Sequence, residues 1–124
     1  MIRVSPADFD RAVAQALAEI PPEFQPYLEN VTIEVQPRPT RRFQREHDVP
    51  ADLLGIYVGV PLDQKGPEMA PSPLPDRIVI FSENLCEMCA TWDELVQEIR
   101  VTVLHEVGHH FGLDEDRLSA LGYD

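Results

Sequence analysis

The spacing of apolar residues divides the chain into helices and strands before any chemistry is considered. Phe9, Val13, Leu17 and Ile20 recur every three or four residues, which makes one apolar stripe on a helix. Ser5-Pro6-Ala7-Asp8 marks its start, with a hydroxyl cap, proline at the first helical position and an acid in the first turn, and Pro21-Pro22 ends it. Val31-Thr32-Ile33-Glu34-Val35 alternates with period two and is rich in β-branched residues, the pattern of a half-buried strand. Two further short strands are predicted over 54–60 and 77–81. The loop between them holds Pro61, Pro67, Pro71, Pro73 and Pro75, has no core-forming pattern and is expected to be mobile.

The longest element comes late in the chain. Thr91-Trp92-Asp93-Glu94 is a capping box, in which a hydroxyl and a carboxylate satisfy orphan amide donors at a helix start. Nothing breaks the helix before Gly112, which suits the left-handed position just past a C-terminus, so a helix of about 30 Å is predicted over 92–111. Trp92, Leu95, Val96, Ile99, Val103 and Val107 share one arc, which faces the core. Glu94, Glu98, Thr102, His105 and His109 share another, polar along its whole length as the floor of an open cleft would be. A short terminal helix follows over 114–121, with Leu118 and Leu121 turned inward. There is no internal repeat.

Composition narrows the classes of function. At 124 residues and 44% hydrophobic, the chain is expected to fold as a single domain over 1–124 with one modest core. A net charge of −12 argues against nucleic acid and against anionic membranes, both of which require clustered Lys and Arg. The run Arg38, Arg41, Arg42 and Arg45 is a local exception, read as a solvated loop or as ion pairs with some of the acids. The start MIRVSPADFD lacks the cationic and apolar character of a secretory signal, and no long apolar stretch occurs, so a soluble, cytoplasmic protein is expected. Two cysteines are too few for a disulfide scaffold.

The candidate chemistry lies on the long helix. His105 and His109 are four residues apart, so their imidazoles lie one turn above the other and can share a zinc ion at about 2.0–2.1 Å each. Glu106 sits about 100° further round, beside such a metal rather than on it, where a general base belongs. His-Glu-x-x-His on a helix rarely arises by chance in a chain this short. His110 falls within the apolar arc and is read as a core histidine with a satisfied ring nitrogen, not as a ligand.

The run from His105 to Glu115, HEVGHHFGLDE, resembles the extended HExxHxxGxx(H/D/E) motif of metzincin-type zincins. More closely, the stretch from about Ile78 to Gly122 is similar to a small bacterial zincin-like family with a minimal matrix-metalloproteinase-like fold. The resemblance implies an α+β, single-domain, minimal zincin-like fold. A small sheet of about three or four strands would pack on the long site helix, with an N-terminal helix and a short C-terminal helix beside it. It implies zinc as cofactor, a peptide or protein substrate, His105 and His109 as ligands, Glu106 as base and Gly112 as the turn glycine. Glu115 stands where larger metzincins have a third histidine, so it is the expected third ligand, with Asp116 and Asp114 as the other candidates. All three acids could instead simply cap the last helix. No methionine follows the site helix. Tyr123 is a candidate for the oxyanion stabiliser, and the substrate is expected along Arg77 to Ser82, taken by analogy as the edge strand.

Three rival readings share these residues. Cys86-x2-Cys89 with His105-x3-His109 has zinc-finger spacing, but a helix starting near Thr91 puts the histidines about 20 Å from the cysteines, too far for one ion. Cysteines between a strand and a helix suggest redox chemistry, yet no second βαβ unit follows, so reduced bystander thiols are expected. The remaining alternative to a zinc metallopeptidase is a non-catalytic zinc-binding module, regulatory or for protein interaction, on the same scaffold.

Overall fold

The computed structural model describes residues 1–59, 76–113 and 115–120, the side chain of Glu115 excepted. The predicted proline-rich loop falls outside them, as do Val60, Asp114, Leu121 and Tyr123. The elements run in the order α1 (Pro6–Ala18), a 3-10 helix (Pro22–Leu28), β1 (Val31–Gln36), α2 (Arg41–His47), β2 (Gly55–Val58), β3 (Asp76–Phe81), α3 (Ser82–Met88), α4 (Trp92–Phe111) and α5 (Glu115–Ala120). The fold is α+β, as expected for a minimal zincin.

The predicted helix signals act as read. Ser5 caps α1 by accepting the Asp8 amide at 3.1 Å, and Thr91 caps α4 by accepting that of Glu94 at 3.1 Å. The return bond of the capping box goes one residue upstream of the cap, because the Glu94 carboxylate accepts the Ala90 amide at 2.8 Å. At the far end Gly112 is left-handed (φ 62°, ψ 38°), and the Leu113 amide bonds back to the Gly108 carbonyl at 3.0 Å.

The sheet has three strands in the order β1-β3-β2, with β1 parallel and β2 antiparallel to β3. This corrects the expectation that Arg77 to Ser82 forms the edge. Strand β3 is central, and Ile78, Val79, Ile80 and Phe81 are all fully buried. Four consecutive apolar residues suit a strand covered on both faces, whereas the alternation of β1 suits an edge. Ile78 and Ile80 join the main core, and Phe81, on the opposite face, meets the ring of Phe43 from α2 at 5.5 Å.

Helix α4 lies between the sheet and α1. Phe9, Ala12, Val13 and Ala16 of α1 pack against the core that Leu95, Val96, Ile99, Val103 and Val107 of α4 build with Ile78 and Ile80. Trp92, at the start of the predicted arc, is only half buried; its indole N–H donates to Gln15 of α1 at 2.9 Å. The buried surface of α4 is wider than that arc, because Thr102, Leu104 and Gly108 are buried as well. Thr102 belongs to the predicted cleft face, but β2 covers it. A β-carbon on Gly55 would stand 2.7 Å from Thr102 Cγ2, so only glycine lets the strand cross the helix this closely.

The arginine run is partly helical, not a loop. Thr40 accepts the Phe43 amide at 3.0 Å and starts α2, on which Arg41, Arg42 and Arg45 are exposed. Arg42 pairs with Glu46 at 2.7 Å, while Arg38 donates to Glu83 at 2.6 Å, to Asn84 at 3.1 Å and to Glu87. Among the described residues, no helix is long and apolar enough to cross a membrane.

Candidate active site

The last three turns of α4 carry the predicted chemistry on two adjacent rows. His105 and His109 form one row, both exposed, with ring centroids 4.3 Å apart at 76°. Thr102, Glu106 and His110 form the next row, which lies beneath β2. Gly55 sits over Thr102, and the Tyr57 ring stacks on His110. Glu106 therefore stands between the two imidazoles and the strand, half buried. Burial pushes its pKa up from the ordinary carboxylate range, against the smaller opposing pull of the Tyr57 amide and the two histidines. A carboxylate so placed is a better proton acceptor than a solvated one.

His110 departs from the expectation of a satisfied ring nitrogen. Its side chain is 14% exposed, and its Nε2 lies 3.9 Å from Asp76 Oδ2, too far for a hydrogen bond, with no other partner among the described residues. The near oxygen of Asp76 is engaged by the Tyr57 hydroxyl, which donates to it at 2.8 Å. Burial, then Asp76, raises the Tyr57 pKa, so the phenol remains a donor. The Tyr57 and His110 rings are 3.9 Å apart and nearly parallel at 10°, and Phe111 meets the His110 ring edge-on at 4.8 Å. Sequence reasoning missed Tyr57 and Asp76, because neither belongs to a motif and only the sheet brings them to α4.

The floor under the histidines depends on α5. Leu118, 3% exposed, packs onto Gly108 between the two histidine turns. Helix α5 begins at Glu115, whose side chain, the expected third ligand, lies outside the described residues, as does Asp114. Asp116 is exposed. Among the described residues no group of three His, Cys, Asp or Glu side chains is placed to hold a metal.

The thiols are elsewhere. Cys86 lies within α3 and Cys89 at its C-terminal cap, so the first turns of α4, from Trp92 onward, separate them from His105 and His109. Their carbonyls accept the Ile2 amide at 3.1 and 2.7 Å, which ties the N-terminal segment to α3. Burial raises both thiol pKa values, that of Cys89 to about 11 with Glu98 and Glu94 adding to the effect. Neither thiol is a thiolate near neutral pH, contrary to what redox exchange needs.

No curated protein matches the chain. A solved structure, of a conserved hypothetical protein from Thermo thermophilus, covers 97% of this chain and 100% of its own with a TM-score of 0.56 and 21% sequence identity, a likeness of fold. The sequence profile of the zincin-like metallopeptidases matches residues 28–123, which takes in every strand of the sheet, the whole of α4 and α5. The chain belongs to the zincin-like metallopeptidase family.

Proposed function

We propose that the protein is a zinc-dependent peptidase in which His105, His109 and Glu115 hold the metal and Glu106 is the general base. The observation that carries this reading is the position of Glu106, half buried between two exposed imidazoles and the edge of β2. The donor set suits zinc, since two neutral imidazoles one helical turn apart are ligands it prefers. Zinc held there would supply Lewis-acid chemistry, polarising a carbonyl and acidifying water.

The other steps belong to the chain. Glu106 takes the proton of the attacking water, for which its raised affinity suits it, and passes that proton to the leaving amine as the peptide bond breaks. Among the described residues β2, not β3, is the edge strand to which an extended peptide would add, and the Gly55 and Tyr57 carbonyls are directed away from β3.

Metal analysis of the purified protein together with cleavage of a diverse peptide library tests this function. One zinc per chain and cleavage that a chelator abolishes are expected. Stoichiometric zinc with no cleavage across the library would point instead to a zinc-binding regulatory or interaction module.

A further inference from the structure

His110 is the one histidine of α4 that the proposed chemistry does not use, and three elements meet at it. Its ring lies against that of Tyr57 from β2, 3.9 Å away and parallel to within 10°, and Phe111 meets it edge-on at 4.8 Å. The Tyr57 hydroxyl donates at 2.8 Å to Asp76, the first residue of β3, and the same carboxylate oxygen stands 3.9 Å from His110 Nε2. Strands β2 and β3 and the site helix are thus joined by one closed ring of contacts.

That ring lies where it governs the path of a peptide. Phe81 donates to the Leu54 carbonyl at 2.9 Å, so the alternate pairs Ile56–Val79 and Val58–Arg77 carry the hydrogen bonds between β2 and β3. Gly55 and Tyr57 turn their N–H and C=O groups the other way, to the side on which a peptide would pair. The same two residues rest on α4, Gly55 against Thr102 and Tyr57 against His110. The height of a paired peptide over the His105–His109 row is therefore set by these two contacts.

We propose that His110 is a positioning residue for the substrate: through the Tyr57 ring and Asp76 it pins β2 to α4, so that a peptide paired with Gly55 and Tyr57 lies at a fixed height over His105 and His109. This role deepens the peptidase reading and rests on it for its consequence, although the pin itself requires neither metal nor turnover. A substrate displaced by about 1 Å can cost up to about a hundredfold in rate, so a pin of this kind has a measurable effect.

Amide hydrogen exchange of the metal-free full chain tests the pin. The Ile56 and Val58 amides face β3, whereas those of Ile78 and Ile80 face β1 and serve as references. His110→Leu and Tyr57→Leu, which remove the stack, should each speed exchange at Ile56 and Val58 at least about tenfold and leave the references unchanged. His110→Phe, which keeps a ring on Tyr57 without the nitrogens, should exchange as the parent does. Loss of protection at the references would mark a leucine variant as unfolded, and Tyr57→Phe then decides. It keeps the stack, loses the bond to Asp76, and should speed exchange at Ile56 and Val58 alone. Parent rates at Ile56 and Val58 in the folded variants would overturn the proposal.

Cleavage tests the consequence. For a peptide of about eight residues, long enough to run along β2 as well as across the histidines, His110→Leu should lower kcat/KM at least about tenfold. For a chromogenic dipeptide, too short to pair along β2, kcat/KM should stay within about twofold of the parent, with zinc stoichiometry unchanged. Equal losses on both substrates, or a loss in His110→Phe as deep as in His110→Leu, would overturn the positioning role and leave the peptidase standing. The expected exchange pattern in a protein that cleaves neither substrate would support the pin and count against turnover alone.

Discussion

Leu118 of α5 occupies the space above Gly108 so closely that a β-carbon there would stand 2.6 Å from its Cδ1. Gly108 lies between the two histidines of the motif, so the contact couples the site helix to the element that starts at Glu115. Gly108→Ala should therefore destabilise the protein by about 1–3 kcal/mol, the usual scale of overpacking. Urea denaturation of Gly108→Ala, Leu118→Ala and the double variant measures the coupling. The double variant should lose less than the sum of the singles, because removing the leucine makes room for the methyl group. Strict additivity would mean that the two residues do not compete for this space.

Glu115→Ala should weaken zinc binding more than Asp116→Ala, and neither should remove it as completely as His105→Ala. The reason is positional: Gly112 takes the left-handed turn that ends α4, and Glu115 is the first residue of the helix that comes back onto it. Competition with a chromophoric chelator ranks the variants. Unchanged affinity in Glu115→Ala would remove it from the ligand set.

Replacing Cys86 and Cys89 together by serine should leave zinc stoichiometry unchanged, since α4 separates them from the histidines. Cys89 also predicts an alkaline signature. Its folded pKa of about 11 lies above the unfolded value of about 8.5, so the folded chain holds the thiol proton more tightly. The resulting stability is complete below about pH 8.5 and is lost as pH rises through about 11. Denaturation midpoints measured across that range should fall more steeply for the parent than for Cys89→Ser. Parallel curves would show that the thiol is not held in this way.

The parts of this fold that announce themselves in the sequence are those fixed by local chemistry. Thr91, Glu94 and Gly112 bound helix α4 where the sequence places it, because caps act within a few residues of the chain. Helices α2 and α3 are hidden for different reasons. The first has seven residues and a single half-buried phenylalanine, Phe43, too little for an apolar stripe, and only Thr40 ahead of it gives a signal. The second follows β3 with no intervening turn residue and has no side-chain hydrogen bond at its cap.

Strand order is less visible, though not absent. The unbroken run Ile78-Val79-Ile80-Phe81 is what a central strand requires, and analogy with an edge strand obscures it. Thr102 cannot be placed from the wheel. Its burial depends on Gly55, which belongs to a strand far earlier in the chain, a contact set by the sheet and not by the helix. The same holds for Tyr57 and Asp76, which meet His110 only once β2 and β3 have paired.

The central claim, that Glu106 moves the proton while His105 and His109 hold the metal, is tested most directly by comparing Glu106→Gln with the parent for both zinc content and peptide cleavage. Glutamine keeps the size and can still hydrogen-bond, but it cannot accept a proton. Zinc content should be that of the parent, and cleavage should be slower by at least about a hundredfold, the lower scale for losing a positioned acid–base group. Cleavage by Glu106→Gln at the parent rate, with the same zinc content, would contradict the account.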